Sequence, residues 1–308
     1  MYCPRRCRRA DAPHRPSTRT PRWRTADYNI HSAMSALGPD AVDAARPPAP
    51  RETFNGVAEL YDAMRPGYPP AVFADVIEIA DLRADARLLE IGSGTGHATI
   101  EFAQRGFAID CIELGENMAA LARRRLAGFP RVSITLADFD RWATTTRYHL
   151  IYAATAYHWL DPQTRVARLA ALLEPNGWLA VWRNHHVNNG GLSRSFHDAA
   201  QTIYEREAPT LAAKFCGLLT PDQIPQPEME EWRASGLLHD VQAHTYLWSR
   251  DYTADEYVRM LNTHSDHQLL PEHDRTRLFD QISLLVNEHC GTVTREHATI
   301  LHMARKLE

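Results

Sequence analysis

The sequence predicts an α/β domain, a doubly wound sheet of seven mostly parallel strands with helical insertions after the fifth and sixth. Three observations carry that class. From about residue 52 onward, short apolar runs alternate with amphipathic segments. The early runs are almost continuously apolar, as strands buried on both faces must be. The first run leads through a turn holding Gly92, Gly94 and Gly96 straight into the next amphipathic segment, the strand–turn–helix entry of such a sheet.

The first 50 residues stand apart. "MYCPRRCRRADAPHRPSTRTPRWRT" is rich in Arg and Pro without apolar periodicity, and a Pro/Ala-rich stretch follows. Such composition cannot bury a core and predicts a disordered tail. A nucleic-acid-binding arm, an organellar transit segment and a dispensable extension upstream of Met34 all remain open readings of it. The folded domain is expected over 51–308. Val57, Leu60, Tyr61 and Met64 have helical spacing, so "ETFNGVAELYDAM" is an amphipathic helix, stopped by "RPGYPP". Residues 51–70 then form an N-terminal lid.

"AVFADVIEIA" is a second helix. The strands that follow are "ARLLEI", "FAIDCIEL", "RVSITLA", "HLIYAAT" and "GWLAVWRN", with helices at about His97–Gln104, Glu116–Leu126 and Arg165–Leu173 between them. A long helical stretch at about Leu192–Phe215, a Pro-rich loop and a further helix lead to a sixth strand, "LHDVQAHTYLWS". Two more helices, one with Tyr257, Val258 and Leu261 and one with Leu278, Ile282, Leu285 and Val286, precede the last strand, "GTVTREHATILHMARK". The inserted segments 185–236 and 250–290 are read as covers over a ligand site. No internal repeat is present.

Composition narrows the function. With 44% hydrophobic and 23% charged residues the chain is ordinary globular material. A formal charge of -4 gives no global attraction to nucleic acid or anionic membrane. The five cysteines are scattered with no zinc-type pair, which fits a reducing cytoplasm. No apolar run reaches the roughly 20 residues of a membrane span.

The glycine turn sits where doubly wound sheets hold their ligand, and glycine lets a ligand approach the backbone. The spacing is GxGxG rather than the dinucleotide GxGxxG, which counts against a pyrophosphate. Glu113 ends the second strand about 20 residues on, where a carboxylate accepts hydrogen bonds from both hydroxyls of a ribose. Asp138, after the third strand, is placed either to accept an exocyclic amine or to form an Asx-turn.

These residues resemble a known family. "LLEIGSGTGHA", "IDCIELGENMAALAR" and "ADFDRW" are similar to the first three motifs of class I S-adenosylmethionine-dependent methyltransferases. "AELYDAMRPGYP", "ATAYHWLDP" and "LEPNGWLAVW" resemble its small-molecule group with type 11 domains, which includes trans-aconitate methyltransferases. The likeness runs from about Phe54 to the C-terminus. One departure is His149, where the family usually carries Asp before the fourth strand.

The resemblance implies S-adenosyl-L-methionine as cofactor, on a Rossmann-like methyltransferase fold. By it, Glu90, Gly92, Ser93, Gly94 and Gly96 line the methionine end. Glu113 takes the ribose, and Leu114 and Met118 flank the adenine, which Asp138 and Phe139 meet at edge and face. Thr155 and Ala156 stand beside the reacting centre, and Tyr61, Arg65 and Tyr68 belong to the lid.

Methyl transfer from a sulfonium is an in-line displacement that needs positioning and exclusion of water, not a metal. "TAYHWL" replaces the Asn/Asp-Pro-Pro-aromatic motif of adenine and amide methyltransferases, so the expected acceptor is a small molecule, at oxygen, either a carboxylate or a hydroxyl. The resemblance leans toward a carboxylate. His158 is the candidate base for a hydroxyl and, with Trp159, part of the acceptor site.

Asn184, His185, Trp248, Tyr252, Thr263 and Ser265 are the expected acceptor-cover residues. His264, His267 and His273 match no standard metal spacing, and no metal is expected. Three competing functions stay in view: an RNA methyltransferase using the basic tail, a nicotinamide-dependent oxidoreductase, and a cofactor-binding protein without catalysis.

Overall fold

In the computed structural model the described residues are 53–188, 193–214 and 217–307. They belong to the unit Pro48–Glu308. The tail expected over 1–50 lies outside them.

The lid is α1 (Thr53–Gly56) and α2 (Ala58–Met64), followed by α3 (Pro70–Ile79). The single lid helix read from the periodicity is two, parted at Val57 (φ -122°) next to the helix-weakening Gly56. The α/β alternation then runs β1 (Arg87–Ile91), α4 (Thr99–Ala103), β2 (Ala108–Glu113), α5 (Glu116–Arg125), β3 (Val132–Leu136), β4 (Tyr148–Ala154), α6 (Arg165–Leu172) and β5 (Leu173–His186).

The first insertion holds α7 (Ser193–Glu207), α8 (Pro209–Ala212) and α9 (Pro227–Ser235). Its first segment, read as one helix, breaks at Ala208 because Pro209 has no N–H to continue the ladder. Then come β6 (Leu238–Thr253), α10 (Ala254–Leu261), α11 (Ser265–Gln268), α12 (Glu272–Glu288) and β7 (Thr292–Lys306). The alternation of β6 continues past its predicted end to Thr253, so the second cover begins at Ala254 rather than at residue 250. A capping box between Thr253 and Glu256 makes that strand-to-helix switch sharp.

The sheet order is β3-β2-β1-β4-β5-β7-β6, parallel from β3 to β5, with β7 antiparallel to both of its neighbours. Chain order reverses between β1 and β4, so the crevice for a ligand opens at their C-terminal ends. On one face Val72, Phe73, Phe102, Ala122 and Leu126 of α3, α4 and α5 pack on Leu88, Tyr152 and Trp182. On the other, Leu169 of α6 and Trp232 of α9 pack on Leu89, Ile151 and Val181. A separate core joins Phe196, Tyr252, Tyr257, Leu278 and Ile282 beneath the covers. His149 lies at the opposite end of β4, accepting from the Arg87 N–H (3.0 Å) and pairing with Glu174, far from the crevice. No described helix is long and apolar enough to cross a membrane.

Candidate functional site

β1 delivers the chain into the glycine turn at the switch point. The Gly92 N–H donates to the Ile112 carbonyl (2.8 Å), and a Cβ on Gly92 would lie 2.5 Å from that of Ala156. Gly92 is therefore fixed by the neighbouring β4 loop. Gly94 (φ +56°) has room, its nearest neighbour being Met118 at 3.7 Å, so what its missing side chain leaves open is the cavity. Gly96 differs from expectation. It packs on Leu126 (3.0 Å from an added Cβ) and lines neither described cavity at the turn.

Two cavities meet at this turn. The larger, about 340 Å³, is lined by Tyr61, Arg65, Gly92, Gly94, Glu113, Leu114, Met118, Asp138, Phe139, Thr155, Ala156, His158, Trp159 and Ser265 among others. Those fourteen are all sequence candidates, brought together from six separate stretches of chain. The smaller, about 40 Å³, adds Tyr68, Glu90 and Ser93 and shares Tyr61, Arg65, Gly92 and Gly94 with the first.

Charge in the two is organised. Glu113, 8% exposed, accepts from the Gly94 and Gly115 N–H groups (2.8 Å each). Burial raises its pKa and those backbone donors pull it back. Glu90 is 1% exposed. Its Oε2 accepts from Thr99 Oγ1 (2.5 Å) and Tyr152 Oη (2.8 Å), while its Oε1 has no partner. Burial pushes it up to about 8. Ser93 Oγ and Arg65 Nε are likewise buried without a hydrogen-bond partner. One unsatisfied carboxylate oxygen, one hydroxyl and one guanidinium N–H thus surround the 40 Å³ cavity.

Asp138 makes the Asx-turn expected of it, accepting from the Asp140 N–H (3.1 Å), and also lines the larger cavity. Phe139 is buried, with the Arg168 guanidinium 5.3 Å from its ring centre. Thr155 holds φ +58°, a strained conformation for a β-branched residue. It is pinned by its N–H to the Trp182 carbonyl (2.8 Å) and by a hydroxyl pair with Tyr68 (2.8 Å). The next turn, Tyr157–Trp159, sets the His158 ring 4.5 Å from that of Trp159 at the cavity rim. Loss of water on its protein side, together with the guanidinium groups of Arg183 and Arg165, pushes His158 down to about 4.

Five of the expected cover residues do not line the cavity. Asn184 donates to the Gly67 carbonyl (3.1 Å) and accepts from Thr299 (2.6 Å). Trp248 donates to Thr299 (2.8 Å) and stacks on His297. Tyr252 is 1% exposed in the cover core. His185 points to the opposite sheet face, receiving a hydrogen bond from Arg183 (3.0 Å). Thr263 is fully buried and reaches the site only through its carbonyl. They prop the lid and cover instead.

The cavity wall includes three residues not singled out for it: Asn55, which clamps Asn117 of α5 (2.7 and 3.0 Å), His264 and Asp266. The ligand atoms of His264, Asp266 and His267 lie within 4.8 Å of one another. Both ring nitrogens of His267 are engaged, by Asp266 and Tyr204, and the charges of Arg65 and Arg295 bear on His264, which opposes a cation there. His273 stands apart, beside Arg277.

A glycine turn at the switch point, an acid closing the second strand and a second acid after the third meet at one cavity. Residues 88–177 match a family described as methyltransferase domain. An uncharacterized methyltransferase of Mycobacterium bovis is 23% identical over 77% of this chain and 86% of its own length. Malonyl-(acyl-carrier protein) O-methyltransferase of Halalkalibacterium halodurans is 30% identical over 41% of this chain and 51% of its own. Trans-aconitate 2-methyltransferase of an Acidovorax species is 36% identical over 32% and 38%. The chain is a class I S-adenosyl-L-methionine-dependent methyltransferase.

Proposed function

We propose that this enzyme transfers the methyl group to a hydroxyl of a small-molecule acceptor. The observation that carries this is the makeup of the cavity's acceptor end, where His158, Trp159, His264, Ser265 and Asp266 meet. The side chain of Asp266 accepts from the His267 N–H and ring (2.8 Å each) and titrates below the usual carboxylate range. Burial opposes that shift, and the His267 contacts outweigh it. His158 and His264 are both pushed toward the neutral form, chiefly by burial. An anion and two neutral imidazoles accept hydrogen bonds. They suit a group that brings a proton and repel a carboxylate.

The cavity's volume, near the lower end of small-ligand sites, and the α10–α11 turn over its mouth support a small acceptor rather than a polymer. One relative's name specifies an oxygen of a malonyl group, a carboxylate, so the choice of a hydroxyl rests on the cavity's residues alone.

In this reading the cofactor's amino-acid head enters the 40 Å³ cavity. Its carboxylate meets Arg65, and its ammonium meets Glu90 with Ser93 alongside. Glu113 accepts from the ribose hydroxyls with lone pairs its backbone donors leave free, and Leu114, Met118, Asp138 and Phe139 enclose the adenine. The cofactor supplies the methyl cation equivalent. Thr155, Tyr68 and Ala156 hold the wall beside it, and His158 takes the hydroxyl proton.

The test is a screen of matched alcohols, phenols and carboxylic acids with methyl-labelled cofactor, followed by mild alkali. Label that survives alkali as an ether is expected. Label released as methanol would mark an ester and a carboxylate acceptor, and would overturn the reading.

A further inference from the structure

We infer that Arg65 couples the two halves of the site, so that the acceptor cover takes its closed position only when the cofactor's carboxylate is in place. The inference rests on the reading that the cofactor's head occupies the 40 Å³ cavity.

Arg65 lines both cavities. Its Nη2 donates to the Thr263 carbonyl (3.0 Å), 198 residues away, and its guanidinium lies 5.1 Å from the Tyr61 ring centre. Its Nε is buried without a partner, and among the described residues no carboxylate lies within ion-pair distance of it. A half-buried guanidinium with one donor committed to the cover and one unsatisfied beside the cofactor cavity lacks the anion that would fix its orientation.

What Arg65 holds on the cover side moves as a unit. Thr263 is fully buried and its hydroxyl donates to the Met260 carbonyl (2.6 Å). Gln268 spans the turn, donating to the backbone and side-chain oxygens of Asn262 (2.5 and 2.7 Å). That braced turn presents His264, Ser265 and Asp266 to the acceptor end. The lid side is anchored independently, since Asp62, one helical turn from Arg65, pairs with Arg125 (2.8 Å) and His97 (3.2 Å). Arg65 therefore bridges an anchored lid and a separately braced cover turn. A carboxylate on the remaining face of its planar fork sets the angle at which it meets Thr263. The consequence for turnover is order: cofactor first, acceptor second.

The coupling can be tested without an acceptor. Hydrogen exchange would be followed on the full chain with and without saturating S-adenosylhomocysteine, for wild type, Arg65→Ala and Arg65→Lys, with calorimetry fixing saturation for each. In wild type the thioether should slow exchange both in the glycine turn (88–104) and, on the order of tenfold, in the cover turn (254–268). Arg65→Ala should keep the first protection, which also reports that it is folded, and lose the second. Arg65→Lys should recover part of it. Equal protection of 254–268 in Arg65→Ala, or none in wild type while 88–104 is protected, would overturn the coupling. No calorimetric binding to wild type would overturn the cofactor placement and the coupling with it.

Discussion

The two ends of the cavity are built on opposite electrostatic plans. At the cofactor end, burial raises the carboxylates, Glu90 to about 8 and Glu113 above its ordinary value. At the acceptor end and under its cover, histidines are held neutral. His158 and His197 fall to about 4, and His297 to about 3, in each case by burial and then by neighbouring arginines. One end is an anion in waiting, completed by a cationic ligand. The other withholds positive charge where a proton must be accepted. On the proposed reading, the difference would let one crevice take a sulfonium amino acid and still present a base beside it.

Substitutions that separate the ends should sort by effect. Gly92→Ala is expected to be the most damaging, because the added methyl meets Ala156 at 2.5 Å in a left-handed backbone conformation. Loss of thioether binding with a melting temperature lowered by about 5 °C or more is expected, since overpacking costs roughly 1–3 kcal/mol before strain is added. Gly94→Ala has space but shares the left-handed backbone (φ +56°), so it should lower the melting temperature less than Gly92→Ala while weakening binding. If both variants melt alike, the division between a structural and a ligand-facing glycine is wrong.

His158→Asn should lower kcat/KM for a hydroxyl acceptor by about 10²–10⁴. Because His158 titrates near 4, the acid limb that this substitution removes should lie near 4 rather than near 6.5, the imidazole being an active base at every pH above its own pKa. A limb near 6.5 would show that the ring is free in solvent.

Stability should respond to pH with opposite sign at the two ends. The cover histidines have folded pKa values below their unfolded ones, so their contribution is present above about 6.5 and is lost as pH falls through about 4 and 3. Glu90 is the reverse, its contribution being complete below the usual carboxylate range and lost as pH rises through about 8. Glu90→Gln should therefore match wild type in melting temperature near pH 4 and exceed it by a few degrees (about 2–4 °C per kcal/mol) at pH 9. Equal melting at pH 9 would place the Glu90 pKa in the ordinary range.

The smallest effect is expected from Trp248→Phe. The stack on His297 survives and only the bond to Thr299 is lost, about 0.5–1.5 kcal/mol. A large rise in acceptor KM would return Trp248 to the cavity wall.

The cofactor end was legible because its residues follow from local order. A turn after β1, an acid ending β2 and an acid after β3 must converge once the sheet is parallel, whatever packs above. The acceptor end depends on which face of a strand is covered and by what. His185 and His186 differ by one residue and face opposite sides, and it is His186 that meets Arg295 and His297 beneath the cover. Asn184, Trp248 and Tyr252 do lie on that side, but are consumed by a hydrogen-bond chain to the lid and by the cover core. In "LNTHSDH" no periodicity distinguishes Thr263, which is buried, from His264 and Asp266, which line the cavity, because the one-turn helix α11 and its N-cap present them, too short for a period to show.

The claim on which the rest depends is that the unsatisfied atoms of Arg65, Glu90 and Ser93 receive the cofactor's amino-acid head. Calorimetry on wild type and Arg65→Ala with two ligands tests it directly: S-adenosylhomocysteine, which carries the head, and 5′-methylthioadenosine, which lacks it. The account predicts that Arg65→Ala weakens the first by about 10- to 100-fold, the worth of a charge-assisted hydrogen bond, and leaves the second unchanged. An equal loss for both ligands, or no loss for either, would contradict it.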